Sequence, residues 1–258
     1  MKSAFNWRLG TTSYIIPDHI LPNLEYLKDK VDDVELVLFE SPVKSGIPDP
    51  AEVKRMKSLA ADWDLSYTVH LPLDVHPGDE DEKTRQRCVE MWLRVMELMH
   101  PLDPLGWVVH LNHPPSPDDS KWPFWKEQCL KSLDALARET DRSSLCIENL
   151  DYDHRWIWPW ILETGFSLCM DIGHLLVRNE DTPACCAQWL KHAQIIHLHA
   201  VDGKGRDHAG LQHMQPQTLS ALLRQFDRID NPSLVVTLEV FSLKDLEGSL
   251  EALGEART

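Results

Sequence analysis

The stretch FSLCMDIGH, residues 166–174, followed after a helical interval by AQIIHLHA, residues 193–200, decides how the chain is read. Each is a short apolar run that closes on cation-binding side chains: Asp171 and His174 in the first, His197 and His199 in the second. Short apolar runs bounded by loops read as buried strands, and the stretch 184–192 between them as a helix. The same closure recurs on both sides: SYTVH ends at His70, WVVH at His110, LCIE at Glu148 and VVTLE at Glu239. A lone His or Glu after a strand is commonly a surface or capping residue. Six successive runs ending on His, Asp or Glu instead bring ligands to one end of one sheet, and Zn²⁺ and its relatives accept these donors.

Working outward, apolar runs alternate with amphipathic stretches along the whole chain. WRLGTTS precedes a helix near 18–30, VELVLFE one over 50–63, LSYTVHL one over 80–99 and GWVVHLN one over 121–139. SLCIENL precedes 155–163, FSLCMDIG 184–192, QIIHLHA 217–226 and LVVTLEV 244–253. Eight such pairs predict an α/β fold, a closed (β/α)₈ TIM barrel occupying residues 1–258 as a single domain. In such a barrel the carboxyl ends of all strands meet at one mouth, so ligands far apart in sequence converge. His197 and His199 point the same way along their strand, and either can reach a metal. No G-x-G-x-x-G or Walker loop supports a nucleotide site.

Composition agrees with one large core, at 43% hydrophobic and 26% charged residues, and no Gly/Ser-rich linker divides the chain. The net charge of −15, from 41 acidic and 26 basic residues, opposes binding of long nucleic acids and favours a small-molecule substrate. The start MKSAFNWRLG has no apolar signal region, and no run nears the roughly eighteen apolar residues of a membrane span, so a cytoplasmic protein is expected. Six cysteines without a C-x-x-C pair read as free thiols, with Cys146 and Cys169 buried in strands. The aromatic clusters KWPFW (Trp122, Trp125) and RWIWPW (Trp156, Trp158, Trp160) read mainly as packing beneath helices, with some rings able to line the mouth. His113, His154 and His213 read as surface loop residues.

VELVLFE, YTVHLP, VVHLN, CIEN, MDIGH, HLHAVDGKGRDH and VTLEV, in this order, resemble the xylose-isomerase-like, endonuclease IV-type barrel superfamily, AP endonuclease family 2. More locally, GTTSYIIPDHILPN (10–23) followed by VDDVELVLFE (31–40) resembles the cobamide-remodelling phosphodiesterases of that superfamily. The resemblance implies metal ligands at His70, His110, Glu148, Asp171, His174, His197 and Glu239. An Asp-x-His pair is expected after the seventh strand, where this chain has Asp207 directly before His208. His208 fits, and the carboxylate is either Asp207, displaced by one residue, or Asp202 in its place. Ala200, where many relatives carry Asp, and LQHMQ, in place of a glycine-rich segment, depart from the pattern.

The implied activity is hydrolysis of a phosphoester in the nucleotide loop of an adenosylated cobamide, releasing cobinamide phosphate and the lower-ligand riboside. Two or three divalent ions, zinc or else manganese, would be its cofactors. Two ions roughly 3.5–4 Å apart can activate water, neutralise phosphoryl oxygens and stabilise the departing alkoxide. Glu148, Glu239 and His174 are the expected catalytic groups, with Glu148 as the bridging carboxylate. Substrate contacts are expected from His199 and from Glu40, placed inward by the parity of Val34, Leu36 and Leu38; Glu40 can equally support a metal ligand or pair with a neighbouring loop. Thr12 and Tyr14, with Thr11 and Ser13, can donate to a phosphate, or else serve the turn before Pro17. The rival is a one-metal sugar isomerase or epimerase using Glu148, Asp171, His197 and Glu239. His70, His110 and the Arg206–His208 loop favour hydrolysis, because a one-ion site needs fewer imidazoles.

Overall fold

The expected barrel is what the chain forms. In the computed structural model, which describes residues 1–39 and 46–257, strands β1 (Arg8–Thr12), β2 (Asp33–Val37), β3 (Ser66–His70) and β4 (Trp107–Val109) continue into β5 (Leu145–Glu148), β6 (Ser167–Asp171), β7 (Ala193–Leu198) and β8 (Val235–Leu238). Each strand pairs in parallel with its successor, and β8 closes on β1 through the register Arg8↔Val235 to Thr11↔Leu238. Helices α1 (Ile20–Leu27), α2 (Pro50–Trp63), α3 (Glu82–Met99), α4 (Trp122–Leu136) and α5 (Trp158–Glu163) return the chain between the first strands. After β6 come both α6 (Ile172–Val177) and α7 (Thr182–Trp189), then α8 (Pro216–Phe226) after β7 and α9 (Leu243–Glu255) after β8. None of these helices is long and apolar enough to cross a membrane.

Local chemistry sets the helix starts. Asp49 accepts from the backbone of Ala51 and Glu52 while Glu52 reaches back to Asp49, a reciprocal cap with Pro50 in the first turn. α6 was not anticipated from sequence. It begins where β6 ends, because the Asp171 carboxylate accepts from the His174 amide at 2.7 Å and so caps the helix.

Apolar side chains form two layers. The larger lies between strands and helices and includes Val34, Leu36 and Leu38, all fully buried, while Val108, Cys146, Cys169 and Ile195 fill a small cluster inside the barrel. The parity expected for β2 is therefore reversed: Val34 and Leu36 face the helices, and Asp33 and Glu35 face the interior. Glu40 itself lies outside the described residues. Toward the amino-terminal end, Asp33 accepts from Ser66 Oγ at 2.6 Å and Thr68 Oγ1 at 2.9 Å, and Arg8 donates to Ser66 Oγ at 2.7 Å. Burial raises the Asp33 pKa to about 6 against these hydrogen bonds.

Candidate metal centre

At the carboxyl end of the strands, imidazoles and carboxylates from β3 to β8 meet. His70 closes β3 and His110 follows β4; both turn Nε2 to Glu148 Oε2, at 3.3 and 2.8 Å. His70 Nδ1 lies 3.0 Å from the Leu71 carbonyl, which fixes a proton there and leaves Nε2 as the atom that would meet an ion. The other Glu148 oxygen, Oε1, lies 3.4 Å from His197 Nδ1 and 3.6 Å from His174 Nδ1. One buried carboxylate thus faces two different sets of imidazoles.

Asn149 joins the ends of β5 and β6, donating to the Asp171 carbonyl at 2.9 Å and accepting from the Asp171 amide at 2.7 Å. Its own carbonyl takes His174 Nδ1 at 2.9 Å, which frees Nε2. Asp171 lies 3.1 Å from both His174 Nδ1 and His199 Nε2. Glu239 Oε2 lies 3.3 Å from His197 Nδ1 and from His208 Nδ1, and 3.7 Å from His199 Nε2. Donor atoms lie within 4.8 Å of one another in His70, His110 and Glu148 and in Glu148, Asp171, His197 and Glu239, which share Glu148, and in the separate group His174, His199 and His208.

The donors fit divalent ions. His197 Nδ1, His208 Nδ1 and Glu239 Oε2 are buried without a hydrogen-bond partner, and they converge on one another. Buried polar atoms left unpaired are costly, and a cation among them removes that cost. Mixed imidazole and carboxylate donors suit zinc and its neighbours.

Without an ion, the charges compensate one another. Burial opposes the charged form of Glu148, but His110 and His197 outweigh it and hold the carboxyl well below its ordinary range; Glu239 follows the same pattern with His197 and His208. Burial likewise opposes protonation of His197, yet Cys169, Glu35, Glu239 and Glu148 lift its pKa well above the usual imidazole value. His199 is raised in the same way by Asp171 and Asp207.

The loop after β7 is a short hairpin in which Ala200 pairs with Ala209 in both directions, at 2.8 and 2.9 Å. It carries Asp207 and His208 to the cluster. Asp207 Oδ1 lies 3.2 Å from His199 Nδ1 and Oδ2 lies 3.9 Å from His174 Nε2. Asp202 is occupied elsewhere: it accepts from the amides of Lys204 and Arg206 and from Arg206 Nε, closing the turn. Of the two, the structure brings Asp207 to the centre.

Several substrate-side expectations change. His199, expected to face substrate, is fully buried within the His174–His208 group. A side chain at Gly173 would come within 1.9 Å of its ring, so only glycine leaves His199 room there. Thr12 is fully buried and donates to the Val240 carbonyl at 2.6 Å, as Thr11 donates to the Leu238 carbonyl at 2.9 Å. These hydroxyls fasten β1 to the end of β8 and are not free for a phosphate. Tyr14 is half-buried against Phe39, at 5.6 Å between rings. His154 is buried between Trp158 and Trp189, not on the surface, and the carboxylates of neighbouring Asp153 and Glu180 are paired with Arg155 and Arg178. The group missed from sequence is Glu35, fully buried with Oε2 2.8 Å from His197 Nε2.

Trp125, Trp158 and Trp160 are packed inside, while Trp122 and Trp156 are partly buried. Two hollows open among the loops that follow β3 to β5. One of about 300 Å³ is lined by His76, Asn112, His113, Phe124 and Trp125, and one of about 600 Å³ by Trp122, Lys126, Trp156 and Trp160.

Comparison with known proteins agrees with the architecture. A D-tagatose 3-epimerase-like protein superposes with TM-score 0.72 at 19% identity over 97% of each chain. A 3-keto-D-glucoside 4-epimerase from E. coli gives 0.70 at 18%, over 97% of this chain and 99% of that one. Endonuclease IV from Thermus thermophilus gives 0.66 at 20%, over 96% and 99%. No curated protein matches by sequence. The family model described as xylose isomerase-like TIM barrel matches residues 28–256, and the chain belongs to that family.

Proposed function

We propose that the protein is a divalent-metal-dependent phosphodiesterase acting on a small molecule, with the whole barrel as its catalytic domain. One observation carries this reading: Glu148 presents Oε2 to His70 and His110 and Oε1 to His197 and His174. Such a carboxylate is placed to bridge two cations, and a one-ion site needs fewer imidazoles than His70, His110, His174 and His197 supply. Bound zinc or manganese ions would polarise the phosphoryl oxygens and make water acidic enough to attack near neutral pH.

The chain's own residues would do the rest. His70, His110 and Glu148 would hold one ion, and Glu148, Asp171, His197 and Glu239 its neighbour; His174, His199 and His208, with Asp207 beside them, would hold a third. Glu148 and Glu239, at 3.4 and 3.3 Å from His197 Nδ1, would be the carboxylates nearest the ions to accept a proton from the attacking water. His174, held by Nδ1 on the Asn149 carbonyl and partly exposed, would turn Nε2 to the third ion beside Asp207, at the side from which a phosphoester would enter.

An adenosylated cobamide is the proposed substrate, cut at a phosphoester of its nucleotide loop to give cobinamide phosphate and the lower-ligand riboside. Support comes from the likeness of residues 10–23 and 31–40 to the cobamide-remodelling phosphodiesterases, and from the aromatic hollows among the loops that follow β3 to β5, which suit a large ring-bearing molecule.

A second reading, a sugar epimerase with one ion, is favoured by Glu148, Asp171, His197 and Glu239, which form a complete four-donor set without the remaining histidines. The epimerases among similar folds point the same way. Incubation of the zinc- or manganese-loaded protein with an adenosylated cobamide and, separately, with ketohexoses separates the two by chromatography. Release of a riboside supports the phosphodiesterase; ketose interconversion with the cobamide intact overturns it.

A further inference from the structure

We infer that Glu35 is a positioning residue for the metal centre: from inside the barrel it holds His197 in the tautomer that turns Nδ1 toward the ions. This rests on the reading of His197 as a metal ligand. It does not depend on which reaction the centre performs.

Glu35 lies on β2 and His197 on β7, strands that are not neighbours, so their contact crosses the barrel interior. Glu35 Oε2 is 2.8 Å from His197 Nε2, and both side chains are fully buried. A neutral imidazole carries one proton. A carboxylate can only accept, so that proton is drawn to Nε2 and the lone pair is left on Nδ1.

Nδ1 is the atom that lies 3.3 Å from Glu239, 3.4 Å from Glu148 and 3.8 Å from Asp171. The opposite tautomer would set an N–H against the ion and a lone pair against Glu35. A carboxylate behind a metal-binding imidazole also raises the basicity of the ligand and fixes the plane of its ring.

The placement is costly without such a role. Glu35 Oε1 is buried with no partner. Other interior positions of the barrel carry Val108, Ile195, Cys146 and Cys169, so apolar side chains fill this space elsewhere. A buried carboxylate is retained where its partner needs it.

The test uses Zn²⁺ alone, titrated by chelator competition into wild-type protein, Glu35→Leu and Glu35→Gln, with circular dichroism to confirm the fold. Glu35→Leu should bind one of its zinc ions, the one His197 would ligate, about 10–100-fold more weakly. Glu35→Gln, which keeps an acceptor oxygen, should recover part of the loss. A folded Glu35→Leu protein with wild-type zinc affinity overturns this inference alone, whereas a wild-type protein that takes up no zinc overturns it together with the metal-centre reading. ¹⁵N NMR of the zinc-loaded wild type needs no variant: a proton on His197 Nε2 supports the inference, and a proton on Nδ1 overturns it.

Discussion

Glu148 is the residue on which the chemistry turns, since its oxygens face separate imidazole sets. Glu148→Ala should lower turnover by more than the about 10²–10³ lost with a single electrostatic donor, while circular dichroism and melting show the barrel intact. Near-normal activity would contradict the assignment. The histidines make a second expectation at this scale. In the ion-free protein burial opposes their charged forms, but the adjoining carboxylates raise the pKa values of His70, His174, His197 and His199 above 6.5. A raised imidazole stabilises the fold fully below its unfolded pKa, and that stability is lost as pH rises through the folded value. The ion-free protein should therefore melt at lower temperature as pH is raised past about 7, and zinc should reverse the loss. Zinc uptake should also release protons near neutral pH, read from calorimetric enthalpies in buffers of different ionisation heat. Uptake without proton release would contradict the protonated, ion-free pairs.

At the scale of elements, the floor of the barrel gives a test separate from the centre. Asp33 is held on β2 with its pKa raised from 3.8 to about 6, burial being the main cause. The folded state thus keeps a proton that the unfolded chain has lost, and stability falls as pH rises across that interval. Asp33→Asn, which can still bond Ser66 and Thr68, should stabilise the protein at neutral pH by up to about 3 kcal/mol and by less near pH 4. Urea unfolding at the two pH values checks it, and equal destabilisation at both would contradict it. β2 is also where sequence reading went astray. VELVLFE alternates cleanly, but both faces of a barrel strand are buried, so Val34, Leu36 and Leu38 mark the face toward the helices as readily as the face toward the centre. That hid Glu35. The short α6 was hidden because its cap, Asp171, reads first as a strand-end ligand.

For the whole molecule, the eightfold alternation was legible because each apolar run is bounded by loop residues and followed by an amphipathic stretch. The convergence of His70, His110, Glu148, Asp171, His174, His197 and Glu239 follows from their common position at strand ends. What did not follow was the role of positions set by tertiary contacts. Thr12 gives its hydroxyl to Val240, and His199 turns inward over Gly173. Asp207 enters through a hairpin closed by Ala200 and Ala209. The central claim is that this barrel mouth holds more than one ion, arranged around Glu148. The direct measurement is the metal-to-protein ratio, by elemental analysis, of protein purified without added metal and then compared with Glu148→Ala. The account expects two or three ions per chain in the wild type and a loss of at least one in the variant. A single ion per chain, retained by Glu148→Ala, would contradict it.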